Sequence, residues 1–148
     1  MTDEALRAWV ERAIPGGGAR TYGLIFDTAP PALQAQLNAL VLAGTKTATA
    51  TAPWMAAWTE RPTTGVLSVL ADLDGRPIGI VETTRLVEIT VADITEAMVR
   101  DYGEGDRTLD WWHREAAPWY AAEARTAGHA FGPRTPLLWE WFRLVHPG

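Results

Sequence analysis

The sequence predicts an α+β domain: a small, mostly antiparallel β-barrel with flanking helices. Three observations predict this class. Two alternating segments meet at Asp74-Gly75, a common two-residue hairpin turn. The run from Leu137 to Val145 is almost continuously apolar, which is typical of a strand buried on both sides. Elsewhere, apolar residues recur at spacings of three and four, which indicates helices.

Composition limits the class of protein. A chain of 148 residues can bury the core of one domain. Its net charge of −5 argues against a broad surface for binding polyanions. There is no cysteine for disulfides or thiol catalysis. No apolar run has the length of a membrane span, and the acidic Asp3 and Glu4 do not resemble a signal peptide. We therefore expect a cytoplasmic protein with no membrane partner.

The first helix is predicted over residues 3–14, and Pro15 ends it. The glycines that follow are flexible, so we expect this helix to be an appendage. The predicted division is residues 1–18 as the N-terminal helix and glycine-rich connection, and 19–148 as the barrel domain. The apolar face of the helix carries Leu6, Trp9, Val10 and Ala13.

A second helix is predicted over residues 30–43. Pro30 and Pro31 suit its first turn, where a missing N–H costs nothing, and Gly44 suits its end. Lys46 would therefore follow directly from a helix terminus. The buried stripe of this helix is Leu33, Leu37, Leu40 and Val41.

Lys46 is the only lysine in the chain, whereas twelve arginines carry the remaining positive charge. An ammonium can lose its proton when it is desolvated and act as a base, but a guanidinium cannot. Two interpretations stay open. Lys46 is either solvated beside a threonine-rich edge strand, or it belongs to a reactive site. The hydroxyls around it are those of Thr45, Thr47, Thr49 and Thr51.

Two segments could form walls of a site near Lys46. Trp54 and Trp58 are four residues apart, so in a helical turn they share a face. They are either core anchors or a surface on which a planar base could stack. A strand is predicted over 66–73 and a long one over 76–90, with Glu82 at the centre of the second. That carboxylate either faces solvent or points into the barrel.

A short helix is predicted over 93–101, and a loop follows in which Gly103 and Gly105 flank Glu104. Glycines there would allow close approach of a ligand. Thr108 can cap the next helix, which should run to about residue 126, with Pro118 kinking or dividing it.

The remaining chemistry is that of a hydroxyl, an amine and a carboxylate. The only serine, Ser68, lies inside a predicted strand, and the histidines lack metal-ligand spacing, so we expect neither a serine triad nor a metal site. A desolvated Lys46 could deprotonate Thr49. On a strand these two side chains would face opposite ways, whereas a tight loop would bring them together. Glu104 is the leading carboxylate, with Glu82 as the alternative.

Two blocks of this sequence resemble a known family. Leu42-Ala43-Gly44-Thr45-Lys46-Thr47-Ala48-Thr49 is similar to the Gly-x-Lys-x-x-Thr signature of ASCH domains, small barrels related to PUA RNA-binding domains. Gly103-Glu104-Gly105-Asp106-Arg107-Thr108-Leu109 resembles a second block of the longer bacterial members. Together the resemblance covers about residues 20 to 146.

This resemblance implies an activity. Some small ASCH-domain proteins are amidohydrolases that deacylate N4-acylated cytosine nucleosides with a lysine, a threonine and a glutamate. These map to Lys46, Thr49 and Glu104 here. One departure is Ala116, where longer relatives often have a histidine. We expect no cofactor and no metal. The residues expected to contact substrate are Thr47, Trp54, Glu82, Arg85 and Trp112.

Two other function classes remain open. The chain could be an RNA-binding or RNA-cleaving PUA-like module whose partner is single-stranded RNA, or a non-catalytic protein-interaction domain. The acidic balance favours a small nucleoside substrate, which carries no phosphate. The sequence does not determine the oligomeric state. The arginines available for phosphate contacts would be Arg76, Arg85, Arg107 and Arg114.

Overall fold

The computed structural model describes residues 1–147, and one five-stranded sheet runs through them. The strand order is β1-β3-β4-β5-β2. β1 is parallel to β3, whereas β4 is antiparallel to β3, and β2 is antiparallel to β5. The strands are β1 Thr21–Leu24, β2 Ala48–Thr51, β3 Leu67–Ala71, β4 Pro77–Thr90 and β5 Pro136–His146.

The predicted closed barrel is wrong, because the sheet is open. Its edges are β1 and β2, and no pairing joins them in the described part of the chain. A barrel closes only when its two edges pair. Hairpin and strand signals indicate which segments are extended, but they do not show whether the two edges meet. The β2–β5 and β3–β4 pairs are antiparallel as predicted, whereas the short β1–β3 pair is parallel.

Helix boundaries follow the capping residues. Side chains of Thr2, Thr95 and Thr108 each accept a hydrogen bond from a backbone N–H three residues later. The helices are α1 Asp3–Ala13, α2 Pro31–Leu42, α3 Ala56–Thr59, α4 Glu96–Tyr102, α5 Leu109–Trp111 and α6 Ala117–Thr126, with 3₁₀ turns at Gly18–Arg20 and Val91–Asp93.

Within residues 1–147, no helix has the length and apolar character of a membrane span.

The chain divides into two units, and the first contains α1, α2 and β3. It comprises Met1–Thr45, Pro62–Thr84 and the segment from Phe142 onward. The helix α1, expected as an appendage, is part of the core of this unit. Its buried residues pack in one cluster with those of the strands, and burial of such side chains stabilises the fold. The members of this cluster are Leu6, Val10, Leu67, Val69 and Ile80.

The second unit comprises Lys46–Arg61 and Arg85–Trp141. Its core pairs small residues with large aromatic rings. Ala48 and Ala50 of β2 are buried in the same cluster as Tyr102, Trp112 and Trp139. Alanines on the strand leave room for the rings, which account for much of the apolar area that this unit buries.

Pro118 divides the predicted helix as expected. Between α5 and α6 lies a π-helical turn, Trp112–Ala116. Proline donates no hydrogen bond, and its ring crowds the carbonyl four residues earlier, here that of Arg114. The turn just before Pro118 is a wider π-helical turn, so the backbone there does not need the regular α-helical hydrogen bond that proline cannot donate. It also directs both Trp112 and Ala116 into the core.

Candidate functional site

The backbone before Lys46 is fixed by the end of α2. Gly44 has a φ of +79°, its N–H donates to the Val41 carbonyl at 3.0 Å, and the Thr45 N–H donates to the Leu40 carbonyl at 3.0 Å. This is the glycine-dependent helix stop that the sequence predicts. The chain then passes through Lys46 and enters β2 at Ala48.

Lys46 is buried, so the solvated alternative is wrong. Its relative exposure is 1%. Nζ donates to the Tyr102 carbonyl at 2.9 Å and to Glu104 Oε2 at 2.8 Å, and it lies 3.7 Å from the centroid of the Tyr102 ring. A carbonyl, a carboxylate and an aromatic face therefore surround this ammonium, and each of them favours a cation.

Glu104 lies between two glycines in the left-handed backbone conformation. Gly103 and Gly105, on either side, both have left-handed φ values, 72° and 61°. The Gly103 N–H donates to the Val99 carbonyl at 3.1 Å and ends α4. The Glu104 side chain is 13% exposed. Its carboxylate therefore lies between the buried ammonium and solvent.

Tyr102 forms the platform beneath Lys46. Its hydroxyl lies 3.2 Å from that of Tyr120, which donates to the Ala50 carbonyl at 3.2 Å. Its ring also packs 5.4 Å from the ring of Trp139. Burial raises the pKa of both tyrosines above the ordinary value, so both stay neutral near pH 7. The platform is thus rigid and uncharged.

Burial lowers the pKa of Lys46 below its ordinary value of 10.5, because the charged form is desolvated. The charge of Glu104 and its hydrogen bond to Lys46 oppose this effect. A lowered pKa is what a general base requires, since it favours the neutral amine, which can accept a proton.

The lowered pKa of Lys46 predicts a specific pH dependence of stability. Between the lowered pKa and 10.5 the unfolded chain binds more protons than the folded one, so the free energy of unfolding rises with pH. The slope from one group is at most about 1.4 kcal/mol per pH unit. Lys46→Met keeps an unbranched chain and removes the titration. We expect wild type to gain stability relative to Lys46→Met as pH rises from neutrality toward 10, in urea unfolding followed by circular dichroism. Parallel curves would contradict the lowered pKa.

A second prediction concerns Gly105. A Cβ built there would lie 2.1 Å from the Trp111 indole, and φ is +61°. Gly128 has a similar φ of +79° but open space around the same position. Gly128→Ala should cost about 1–2 kcal/mol, the strain of a left-handed residue alone. Gly105→Ala should cost more, because the indole ring must move as well. If the two variants lower the melting temperature equally, the Trp111 indole moves away from the new methyl group at little cost.

Thr47 attaches the Lys46 loop to α4. Its N–H and its hydroxyl both donate to the Asp101 carbonyl, at 2.8 Å and 3.3 Å. The carboxylate of Asp101 accepts a hydrogen bond from Trp141 Nε1 at 3.0 Å. A substrate contact for Thr47 remains a prediction, and its observed contact is structural.

Thr49 lies inside β2, not in the tight loop that would place it beside Lys46. It pairs across the sheet with Glu140, and side chains opposite one another share a face. Ala48 and Ala50 point into the core, so Thr49 and Glu140 lie on the other face. In residues 1–147 no hydrogen bond joins the Thr49 hydroxyl to Lys46 or to Glu104.

Sequence reasoning missed Glu140, Tyr102 and Asp101. Glu140 is only 5% exposed and lies in the strand that we expected to be almost continuously apolar and buried on both sides. A lone carboxylate between Trp139 and Trp141 was the available signal. Tyr102 and Asp101 act on Lys46 and Thr47 partly through backbone carbonyls, for which side-chain patterns give no signal.

The two tryptophans predicted to contact substrate have other neighbours. Trp112 is fully buried and its ring stacks on that of Tyr120, 5.8 Å between centroids, so it offers no face to a ligand. Trp54 is half-buried, with its ring 5.7 Å from His129 and 6.4 Å from Phe131. Its role in binding remains a prediction.

Glu82 belongs to the first unit and forms ion pairs with Arg20 and Arg143. The hydrogen bond from Arg143, with the charges of both arginines, lowers the pKa of Glu82 despite partial desolvation. Of the two candidate carboxylates, Glu104 is the one that contacts Lys46. Arg85, in the second unit, lies over the Trp141 ring, 4.6 Å from its centroid.

Residues 1–147 contain no group of three or more His, Asp and Glu side chains arranged to hold a metal ion.

The chain belongs to the ASCH domain family, whose model matches residues 24–146. It is therefore a PUA-like module of the RNA-binding or hydrolase type. The match includes both Lys46 and Glu104, which the fold brings into contact.

Two solved structures resemble this fold. The ASCH domain from Lactobacillus crispatus JV V101 is 23% identical, with a TM-score of 0.78 over 95% of this chain and 91% of that one. Protein EF3133 from Enterococcus faecalis V583 is 25% identical, with a TM-score of 0.71 over 83% of this chain and 75% of that one. A comparison with curated proteins found no match.

Proposed function

We propose that this protein hydrolyses the amide of N4-acylated cytosine nucleosides such as N4-acetylcytidine. The observation that supports this most strongly is the contact of a buried Lys46 with Glu104, at 2.8 Å. Burial lowers the pKa of this lysine, and the carboxylate beside it can carry a proton to or from a reacting group. Together they are an acid–base couple suited to breaking an amide bond.

The proposed reaction uses the side chains that the family resemblance indicates. Thr49 Oγ attacks the acyl carbonyl carbon while Lys46 accepts the hydroxyl proton. The bond between the acyl carbon and N4 then breaks, and Glu104 orients the lysine or passes a proton to the leaving N4. Water hydrolyses the acyl-threonine ester to a carboxylate and frees the hydroxyl. The cytosine ring withdraws the nitrogen lone pair, so a modest nucleophile suffices.

The position of Thr49 on the face of β2 opposite Ala48 and Ala50 weighs against this nucleophile. Its side chain shares a face with Glu140, whereas the Lys46 ammonium lies against Tyr102. The competing route within the same function is attack by a water molecule that Glu104 activates. The two routes give the same products and are separated by the Thr49 variants described in the Discussion.

RNA binding is the second class, and its proposed contacts are less well supported. Arg114 is paired with Asp110 and Glu115, and Arg107 donates to the Arg100 carbonyl. Arginines engaged in this way have less to offer a phosphate backbone. The net charge of −5 also opposes a polyanion.

Two assays run side by side test the proposal. N4-acetylcytidine is incubated with the protein and followed by absorbance as it converts to cytidine, while single-stranded RNA is tested by filter binding at increasing salt. We expect hydrolysis, with weak RNA retention. RNA binding that falls steeply with salt, without any deacylation, would favour the RNA-binding class instead.

A further inference from the structure

A groove of about 420 Å³ lies in the second unit, with Trp141 in its wall. This volume is in the range of small-molecule sites. Trp141 is half-buried, so part of its ring remains accessible, in contrast to Trp112. The groove is also lined by Arg85, Asp101, Met98 and Ile89.

Two side chains of opposite charge, Arg85 and Asp101, contact the Trp141 indole in this groove. Arg85 places its guanidinium 4.6 Å from the centroid of the Trp141 ring. Asp101 holds the edge of the same ring by accepting from Nε1 at 3.0 Å. Met98 and Ile89 add apolar surface. An indole fixed at its edge, with a cation over it and a carboxylate beside it, suits a flat polar ring.

The groove adjoins the site of Lys46 through neighbouring residues. Asp101 lines the groove and accepts from Thr47, the residue next to Lys46. The following residue, Tyr102, holds the Lys46 ammonium with its carbonyl. Cα atoms of consecutive residues are about 3.8 Å apart. Residues that line the groove are therefore next in sequence to, or hydrogen-bonded with, the residues that hold the acid–base couple.

We infer that Trp141, together with Asp101 and Arg85, is the subsite for the cytosine ring of the substrate. The ring stacks on the indole where the Arg85 guanidinium lies in the free protein, and this exposed side chain moves to the edge of the base. This rests on the proposed function and deepens it. The edge of an N4-acylated cytosine presents one donor, the N4–H, next to two acceptors, N3 and O2. The Asp101 carboxylate can accept from the first, and the Arg85 guanidinium can donate to the others. Uracil has a different edge, with an acceptor at position 4 and a donor at N3.

The chain offers a matched control for this inference. Arg61 lies over the ring of Trp58, 4.2 Å from its centroid, in the same unit. Neither residue lines the groove. If stacking on Trp141 binds the base, Trp141→Leu should raise KM about 10-fold or more, as base–aromatic stacking energies imply, with kcat changed much less. Trp58→Leu should leave both unchanged. Trp141→Phe keeps an aromatic ring and is the variant to use if Trp141→Leu does not fold. Its KM should lie between those of wild type and Trp141→Leu.

The closing experiment measures binding without chemistry. Cytidine, the reaction product, is titrated into the wild-type protein while the indole N–H signals are followed by ¹⁵N NMR, with the Trp141 signal assigned from Trp141→Phe. We expect cytidine to shift that signal, and uridine to shift it much less. If cytidine binds there and no hydrolysis occurs, the subsite stands and the proposed function fails. If hydrolysis proceeds but cytidine leaves the signal unmoved and Trp141→Leu has a normal KM, the inference is overturned and the function stands. Equal shifts with uridine would contradict recognition of the cytosine edge.

Discussion

Lys46→Arg is expected to abolish hydrolysis, lowering kcat by about 10²-fold or more, the usual loss when general-base catalysis is removed. Arginine keeps the positive charge but cannot deprotonate, and its fork does not match three partners arranged around a single nitrogen. The residue is buried, so the larger side chain should also cost about 1–3 kcal/mol of stability. Steady-state kinetics at temperatures well below the melting transition measure the catalytic effect by itself.

The matched comparison is Lys46→Met, which removes both charge and base. If arginine and methionine lose activity equally, the proton-accepting nitrogen matters and charge alone does not. If Lys46→Arg keeps near-wild-type turnover, Lys46 serves only as a cation that binds the carbonyl oxygen, and it is not the base.

Thr49→Ala and Thr49→Ser separate the two hydrolytic routes. Under covalent catalysis we expect alanine to lower kcat by about 10³-fold or more, because the nucleophile is gone, while serine keeps part of the activity. A trapped acyl-protein, with the acyl mass on the peptide that contains residue 49, should then appear in mass spectrometry at short times.

Thr51→Ala is the control for this pair, because Thr51 lies two residues further along β2 and therefore on the same face as Thr49. It should retain wild-type kcat. If Thr49→Ala also retains most of its turnover with unchanged folding, Thr49 is not the nucleophile. Water activated by Glu104 then carries the reaction, which is the route favoured by the position of Thr49 on the face of β2 opposite Ala48 and Ala50.

Local signals in the sequence predicted most elements of the fold. Gly44 ends α2 and Thr108 caps α5 through contacts within a few residues. Asp74-Gly75 lies in the β3–β4 turn as expected, but the turn is longer than two residues, because Leu73 belongs to it and the Asp72 N–H donates to the Arg76 carbonyl. The closed barrel was wrong because closure depends on whether β1 and β2 meet, which no local pattern reports. The short parallel pairing of β1 with β3 was missed for the same reason, since it joins residues that are distant in sequence.

The candidate site was predictable in part. An isolated lysine after a glycine stop, and a glutamate between two glycines, identified both members of the Lys46–Glu104 pair. Burial of Lys46 was one of two open alternatives, because it depends on how Tyr102 and its aromatic neighbours pack. The sequence gives no basis for choosing among the tryptophans. Eight indoles look alike in sequence, and only the fold distinguishes buried Trp112 from Trp141 in its groove.

The most direct test of the central claim, that the Lys46–Glu104 couple deacylates a cytosine nucleoside, is one chromatographic measurement on two proteins. Wild type and Glu104→Gln, both shown to be folded, are incubated with N4-acetylcytidine, and cytidine and acetate are quantified. We expect equal amounts of both products from wild type and a rate about 10²-fold or more lower from Glu104→Gln. No cytidine from the folded wild type, or equal rates from the two proteins, would contradict it.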